Sequence, residues 1–269
     1  MSQVVFITGG TKGIGLVIAR QLSEQGYTVY GTSRKPQQST AHGIHLLPLD
    51  VTDAEAVTRT VDQIIDEAGK IDIVINNAGY DLYGTAEDTT MQELHAQMDT
   101  NFYGAVRIMQ AVLPHMRRQR SGKIINISSI GGLMSLPLNS AYAASKYALE
   151  GYTESLRYEM LPFNVYVSLV EPGQVWTETL HNAFPTTERQ TIFDVDAAAE
   201  KSRERGANTR LKPVHVAATV SKIVAAPRPK LRYASGSQVP LVVAMKRYMP
   251  ERMFESMVMG QFVRPFLKS

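Results

Sequence analysis

The chain has 269 residues, enough for one sizeable core, and with 44% hydrophobic and 20% charged residues its composition is globular. Its 28 basic and 25 acidic residues leave a net charge of +3, too weak and too dispersed to point to nucleic acid. The absence of cysteine excludes disulfides, thiol catalysis and cysteine metal sites, and the six histidines show no ligand spacing; His42 and His45 sit in a turn-rich stretch and read as surface residues.

The N-terminus enters an apolar strand at once, without a basic flank or a cleavage site, and no run is long and apolar enough to span a membrane. A cytoplasmic protein is expected. Residues 4–8 form a short apolar run, followed by Gly9, Gly10, Thr11, Lys12, Gly13, Ile14 and Gly15. Residues 16–25 then carry helical periodicity and stop at Gly26. Strand, glycine turn and helix in this order let the backbone approach a pyrophosphate at a helix N-terminus. The same letters also make a plain turn between two packed elements.

Residues 27–32 read as a second strand. A ribose 2′-hydroxyl needs an acid near its end, and none occurs between Glu24 and Asp50. The strand runs instead into Ser33, Arg34 and Lys35, and Lys12 adds a cation in the glycine loop. These groups suit a 2′-phosphate, so NADP(H) is favoured over NAD(H); the competing reading is a basic surface turn. Residues 44–49 give a third strand ending at Asp50, and Asp53 caps a helix over 54–68 that Gly69 ends. Residues 71–75 give a fourth, entering Asn76-Asn77-Ala78-Gly79. Helical periodicity covers 90–119, with Asn101 near its middle, either a local disruption with a role or an exposed helical asparagine.

Residues 124–127 are apolar and β-branched around Asn126, as in a buried parallel strand, and Ser129 follows its end. Asn139 or Ser140 caps a helix reaching about Leu161, on which Tyr142 and Lys146 lie one turn apart on one face. A free phenol has a pKa of about 10, and a lysine one turn away favours its ionised form. Residues 165–170 form another strand, closed by Pro172 and Gly173, with Thr177 four residues beyond Gly173. Residues 178–212 are polar and read as a mobile substrate lid or an insertion. A helix over 213–226 and a strand over 231–234 precede the Met-, Phe- and Arg-rich run 240–269.

Taken together, Thr8-Gly9-Gly10-x-x-Gly13-x-Gly15, Asn76-Asn77-Ala78-Gly79, Ser129, Tyr142-x-x-x-Lys146 and Pro172-Gly173 resemble the short-chain dehydrogenase/reductase family in order and spacing. The stretch around Tyr142 looks particularly like the 17β-hydroxysteroid and retinol dehydrogenase-like branch. The resemblance implies a single α/β domain, a Rossmann-type doubly wound sheet of about seven parallel strands flanked by helices, with a C-terminal helical extension over 240–269. It implies Tyr142 as acid/base, Lys146 as the residue that lowers its pKa and holds the nicotinamide ribose, Ser129 on the substrate carbonyl and Asn101 holding a relay water. Asp50 and Val51 would meet the adenine, Asn77 and Gly79 the adenosine side, and Val175 and Thr177 the carboxamide.

The expected activity is NADP(H)-dependent interconversion of a carbonyl and an alcohol. The rival readings are a non-catalytic NADP(H) sensor on the same fold and an epimerase or dehydratase, the latter usually with a larger C-terminal domain. The apolar residues Leu133, Met134, Leu136, Leu138, Tyr80, Leu82, Tyr83, Phe184, Ile192 and Phe193 suggest a steroid, retinoid or long-chain carbonyl as substrate. Met245, Met249, Met253, Phe254, Met257 and Met259 are expected as a flexible apolar wall, a reading favoured over membrane contact because Pro250 interrupts the face. A homodimer is expected through helices around 102–118 and 142–160, with Phe102, Val106, Met109, Leu113, Tyr152 and Leu156 at the interface.

Overall fold

The computed structural model describes residues 2–36, 40–175, 184–185, 193–207 and 211–267. The chain starts in the middle of its main sheet. Strand β1 (Val4–Ile7) is wholly buried, and α1 (Gly13–Glu24) returns the chain to β2 (Thr28–Ser33), which pairs parallel to it. A two-residue antiparallel strand, β3 (Thr40–Ala41), edges β4 (Ile44–Pro48). Helix α2 (Ala54–Ala68) begins where the Asp53 carboxylate accepts from the Ala56 N–H at 2.9 Å, and ends at Gly69 with φ +76°. The chain then crosses to the other side of β1 with β5 (Ile73–Asn76), whose four residues are all buried. Each such Val or Ile side chain contributes about 1.5–3 kcal/mol by leaving water.

After the short β6 (Leu82–Tyr83), α3 (Met91–Met98) starts with a reciprocal Thr90–Glu93 capping box. A π-helical turn, Asp99–Tyr103, separates it from α4 (Gly104–Gln119), so the single helix expected over 90–119 is interrupted at Asn101. Next come β7 (Gly122–Ile127), α5 (Ser140–Met160), β8 (Val165–Pro172), the two-residue β9 (Phe184–Pro185) and α6 (Val195–Ala207). Helix α7 (Pro213–Ala225), β10 (Arg232–Ser235), α8 (Val239–Tyr248) and α9 (Glu251–Val258) follow, and after α9 come a π-helical turn, Met259–Val263, and a 3-10 turn, Arg264–Phe266.

The main sheet has the order β10-β8-β7-β5-β1-β2-β4-β3, and every pairing except β3–β4 is parallel. Seven parallel strands and helices on both faces make a Rossmann-like doubly wound domain. One apolar layer joins the sheet to α2, α4 and α5 through residues such as Val61, Ile64, Ile108, Met109, Leu149 and Leu156. The other joins it to α1 and α7 through Ile18, Leu22, Val216, Val220 and Ile223. The winding reverses between β1 and β5, where a crevice opens at the carboxyl ends of the strands.

Two sequence expectations change here. The polar run 178–212 contains a helix, α6, started by Asp194, whose carboxylate accepts from the Ala197 N–H at 2.9 Å. Among its described side chains the buried apolar ones are Val195 and Ala198, too thin a signal for periodicity. Met109 and Leu156 belong to the core and not to an exposed face, while Phe102, Val106, Leu113 and Tyr152 remain half-buried.

Candidate active site

The loops after β1 and β5 are stitched to each other. The Thr8 hydroxyl accepts from the Asn77 and Ala78 N–H groups at 3.0 Å each, and the Asn77 amide donates to the Thr8 and Gly9 carbonyls at 3.0 and 3.2 Å. Asn77 is thus a structural staple as well as a wall of the crevice. Gly9 takes φ +66°, a left-handed conformation that glycine adopts without a Cβ clash. A Cβ on Gly15 would lie 2.2 Å from the Gly9 carbonyl oxygen and 2.4 Å from the Asn77 amide nitrogen.

Helix α1 opens from this loop with no side-chain cap at Lys12 and no acid in its first turn. Its first N–H groups therefore point at the crevice without a competing anion, which fits a pyrophosphate. Thr11 and Gly13 flank Lys12, and Ile14 lines the crevice. The Gly10 N–H donates to the Thr32 carbonyl at 2.9 Å, bringing the glycine loop against the end of β2, where Ser33 and the exposed Arg34 follow. Burial raises the Asp50 carboxyl, but bonds from Thr52 and the charges of Arg34 and Arg107 outweigh it and hold Asp50 below the usual range. Val51 is buried against Gly104, so it supports this edge from within the core. Thr177 lies outside the described residues; Val175 is buried and, with Pro172 and Gly173, lines the crevice.

The crevice continues into a cavity of about 640 Å³ containing Ser129, Tyr142 and Lys146. Ser129 leaves the end of β7 and accepts the Gly131 N–H at 3.0 Å. Lys146 is buried, its Nζ donates to the Ile127 carbonyl at 2.9 Å, and it stands 5.6 Å from the centre of the Tyr142 ring. Burial brings Lys146 down to about 8, while Glu150 and Asp81 hold its charge up. Burial also pushes the Tyr142 phenol up, Asp81 pushes it further, and the Ser129 hydroxyl pulls the other way through a hydrogen bond. The expectation that Lys146 lowers the Tyr142 pKa is therefore reversed in this environment: desolvation and a nearby carboxylate dominate. The proton stays on the phenol at neutral pH.

Asn101, in the π-helical turn, accepts from the Tyr80 N–H at 3.0 Å and donates to the Tyr80 carbonyl at 2.9 Å and the Ser145 hydroxyl at 3.2 Å. Two of these bonds fix the loop after β5 and the third reaches α5, while the amide oxygen keeps a second acceptor position, and Gly79 packs on it. π-Helical turns recur at functional sites because they re-aim the chain.

Several lining residues were not expected from sequence. Asp81 faces the cavity, with one carboxylate oxygen accepting from the Asn139 amide at 2.8 Å. Asn139 therefore does not cap α5 with its side chain. Helix α6 contributes Ala198 and Ser202, and the Gln174 amide ties to the Ser202 carbonyl at 2.7 Å. The C-terminal wall is made by Val239, Val242, Phe262 and Phe266, whereas Met253 and Met259 are exposed. Met134, Leu136, Tyr80 and Tyr83 line the cavity as expected, but Leu82 and Leu138 are buried beside it and Ile192 lies outside the described residues. An acid set among Tyr80, Leu82 and Tyr83 just after a strand end was the signal available for Asp81.

A family model for short chain dehydrogenase matches residues 3–188. The 3-ketodihydrosphingosine reductase of Bacteroides thetaiotaomicron is 41% identical over 94% of this chain and 95% of its own length. Retinol dehydrogenase 8 of Bos taurus is 37% identical over 92% of this chain and 86% of its own. Among solved structures, a short-chain dehydrogenase from Streptomyces avermitilis superposes with a TM-score of 0.82 at 28% identity, covering 98% of this chain and 99% of that one. The chain belongs to the short-chain dehydrogenase/reductase family, on its retinol- and steroid-dehydrogenase-like side. It is an oxidoreductase of the alcohol–carbonyl type with a nicotinamide-binding fold.

Proposed function

We propose that this enzyme uses NADP(H) and reduces the carbonyl of a large apolar substrate, with Tyr142 as the proton donor. The observation that carries this reading is the cavity itself: Tyr142, Ser129 and Lys146 share it with Met134, Leu136, Val239, Val242, Phe262 and Phe266. The names of two relatives, a reductase of 3-ketodihydrosphingosine and a dehydrogenase of retinol, agree with a hydrocarbon-rich substrate.

The nicotinamide, when bound, supplies the hydride. The residues of this chain do the rest. Ser129 and Tyr142 donate hydrogen bonds to the carbonyl oxygen as negative charge develops there, and Tyr142 passes its proton to it. Burial holds the phenol above its ordinary value, so Tyr142 carries the proton that it passes on. Lys146, anchored to Ile127, holds the ribose side and places positive charge behind the phenol. Asn101 fixes the loop that closes the site. Lys12 and Arg34 recognise the 2′-phosphate, and each charge-assisted bond of this kind is worth roughly 1.5–3 kcal/mol. The half-buried apolar face of α4 and α5 pairs two copies into a homodimer.

The test follows NADPH and NADH oxidation with butanone and with dodecan-3-one. A higher kcat/KM with NADPH and with the long ketone is expected, since each buried methylene contributes about 0.8 kcal/mol. Equal use of NADH, or a preference for butanone, contradicts the reading.

A further inference from the structure

Arg232 stands on β10, the edge strand of the main sheet, and does not line the cavity, yet it is tied to two turns that do. Its guanidinium pairs with three carboxylates. Nη1 meets Glu150 and also Glu171, the latter at 2.9 Å, and Nη2 meets Glu154 at 3.0 Å. Glu150 and Glu171 are buried, and Glu154 is partly exposed. The planar guanidinium presents five donors at fixed angles, a fork that a single ammonium cannot reproduce.

Each buried acid leads to the reacting end of the crevice. Glu171 is the residue of β8 directly before Pro172 and Gly173, which line the cavity. Glu150 lies on α5 one turn after Lys146. Its stem packs under the turn Ile130–Gly132: a Cβ on Gly132 would stand 2.9 Å from Glu150 Cγ, 2.9 Å from the Ser128 hydroxyl and 3.1 Å from the Lys146 carbonyl oxygen. The Gly132 N–H in turn donates to the Ser129 carbonyl at 2.9 Å. Backbone bonds already hold each turn to its neighbouring strand, from the Ser128 N–H to the Val170 carbonyl at 2.8 Å and from the Gly173 N–H to the Ser235 carbonyl at 2.9 Å. Arg232 adds the link from α5 to the end of β8.

Stability alone does not account for this cluster. Glu150 and Glu154 are like charges one turn apart, an arrangement that destabilises a helix. Buried ion pairs also gain little over apolar side chains of the same size, and register between the joined elements is their best-attested use. We propose that Arg232 is a positioning residue for hydride transfer. Through Glu150 and Glu171 it holds the Ser129–Gly132 turn and the Pro172–Gly173 turn at the spacing that a nicotinamide and a carbonyl need between them. This rests on the carbonyl-reductase reading of the same site.

The experiment measures kcat and KM for dodecan-3-one with NADPH in wild type and in Arg232→Ala, each with and without millimolar guanidinium chloride. Arg232→Ala should lose on the order of 10²-fold in kcat, the scale of an ångström's misplacement, with KM within a few-fold of wild type. Guanidinium should restore part of that loss by refilling the fork, whereas a protein that is merely weakened is weakened further by it. If two unpaired buried acids keep Arg232→Ala from folding, the triple variant Arg232→Met, Glu150→Gln, Glu171→Gln removes the charges together with the link. It should fold and show the same loss in kcat. Near-native kcat in either folded variant, an Arg232→Ala loss that guanidinium does not reduce, or a triple variant that fails to fold overturns the proposal. If the wild type reduces no ketone, the carbonyl-reductase reading fails, and cofactor binding alone decides the role of Arg232. NADPH should then bind about 10-fold more weakly to the variant, with adenosine 2′,5′-bisphosphate, which lacks the nicotinamide half, unchanged. NADH and ADP take their places if the enzyme favours NADH. Equal effects on the cofactor and its fragment, or none, reject the proposal.

Discussion

Replacing Asp81 by asparagine should stabilise the ligand-free protein, and only where the carboxylate is ionised. Burial pushes the Asp81 carboxyl from 3.8 to about 6, against the opposing effects of Asn139 and Lys146. A raised carboxyl pKa means that the folded state holds its proton more tightly than the unfolded chain. The stability it contributes is fully present below 3.8 and is lost as pH rises through about 6. At pH 9 the wild type carries the whole loss, about 3 kcal/mol at 1.36 kcal/mol for each pKa unit. At pH 4.5 the loss is only about 1 kcal/mol. Lys146, brought down to about 8, is mostly neutral at pH 9 and offsets little there. The substituted side chain keeps a carbonyl for the Asn139 amide without the charge. Urea unfolding of both proteins at the two pH values measures the difference, and for a chain of this length the pH 9 gain corresponds to about 5 °C in Tm. No gain at pH 9, or the same gain at both values, would refute the desolvation of Asp81.

Gly15→Ala should weaken NADPH binding at least ~10-fold and lower Tm, because its Cβ would collide with the Gly9 carbonyl and the Asn77 amide, both backbone-stitched. A fluorescence titration with an unchanged Kd contradicts the glycine-loop assignment. Light scattering should give twice the 29.8 kDa chain mass at high concentration, and a monomer there rejects pairing through α4 and α5.

The main sheet was legible because its strands are short apolar runs punctuated by glycine, proline and asparagine, as at Gly69 and Pro172. The trio of Ser129, Tyr142 and Lys146 was legible from spacing, since a helical turn fixes which side chains share a face. Its electrostatics were not. Burial governs Tyr142, and Asp81, which adds to it, arrives from a loop 61 residues earlier in the chain (142 − 81). Helix α6 and the cavity wall were obscured for a different reason. Val195 and Ala198 make too narrow a stripe for a helix pattern, and of the methionines that looked like a wall Met253 and Met259 are exposed and none lines the cavity, whereas Phe262 and Phe266 do. Asn101 was legible as a disruption, and the π-helical turn is the form that it takes.

The central claim is that Tyr142 delivers the proton to a carbonyl oxygen in an NADPH-dependent reduction. Single-turnover NADPH oxidation with dodecan-3-one, in wild type and in Tyr142→Phe, tests it most directly, with NADPH affinity measured in parallel. The account predicts that Tyr142→Phe binds NADPH within a few-fold of wild type and loses on the order of 10³-fold or more in rate. A Tyr142→Phe enzyme that reduces the ketone at a near-native rate would contradict it.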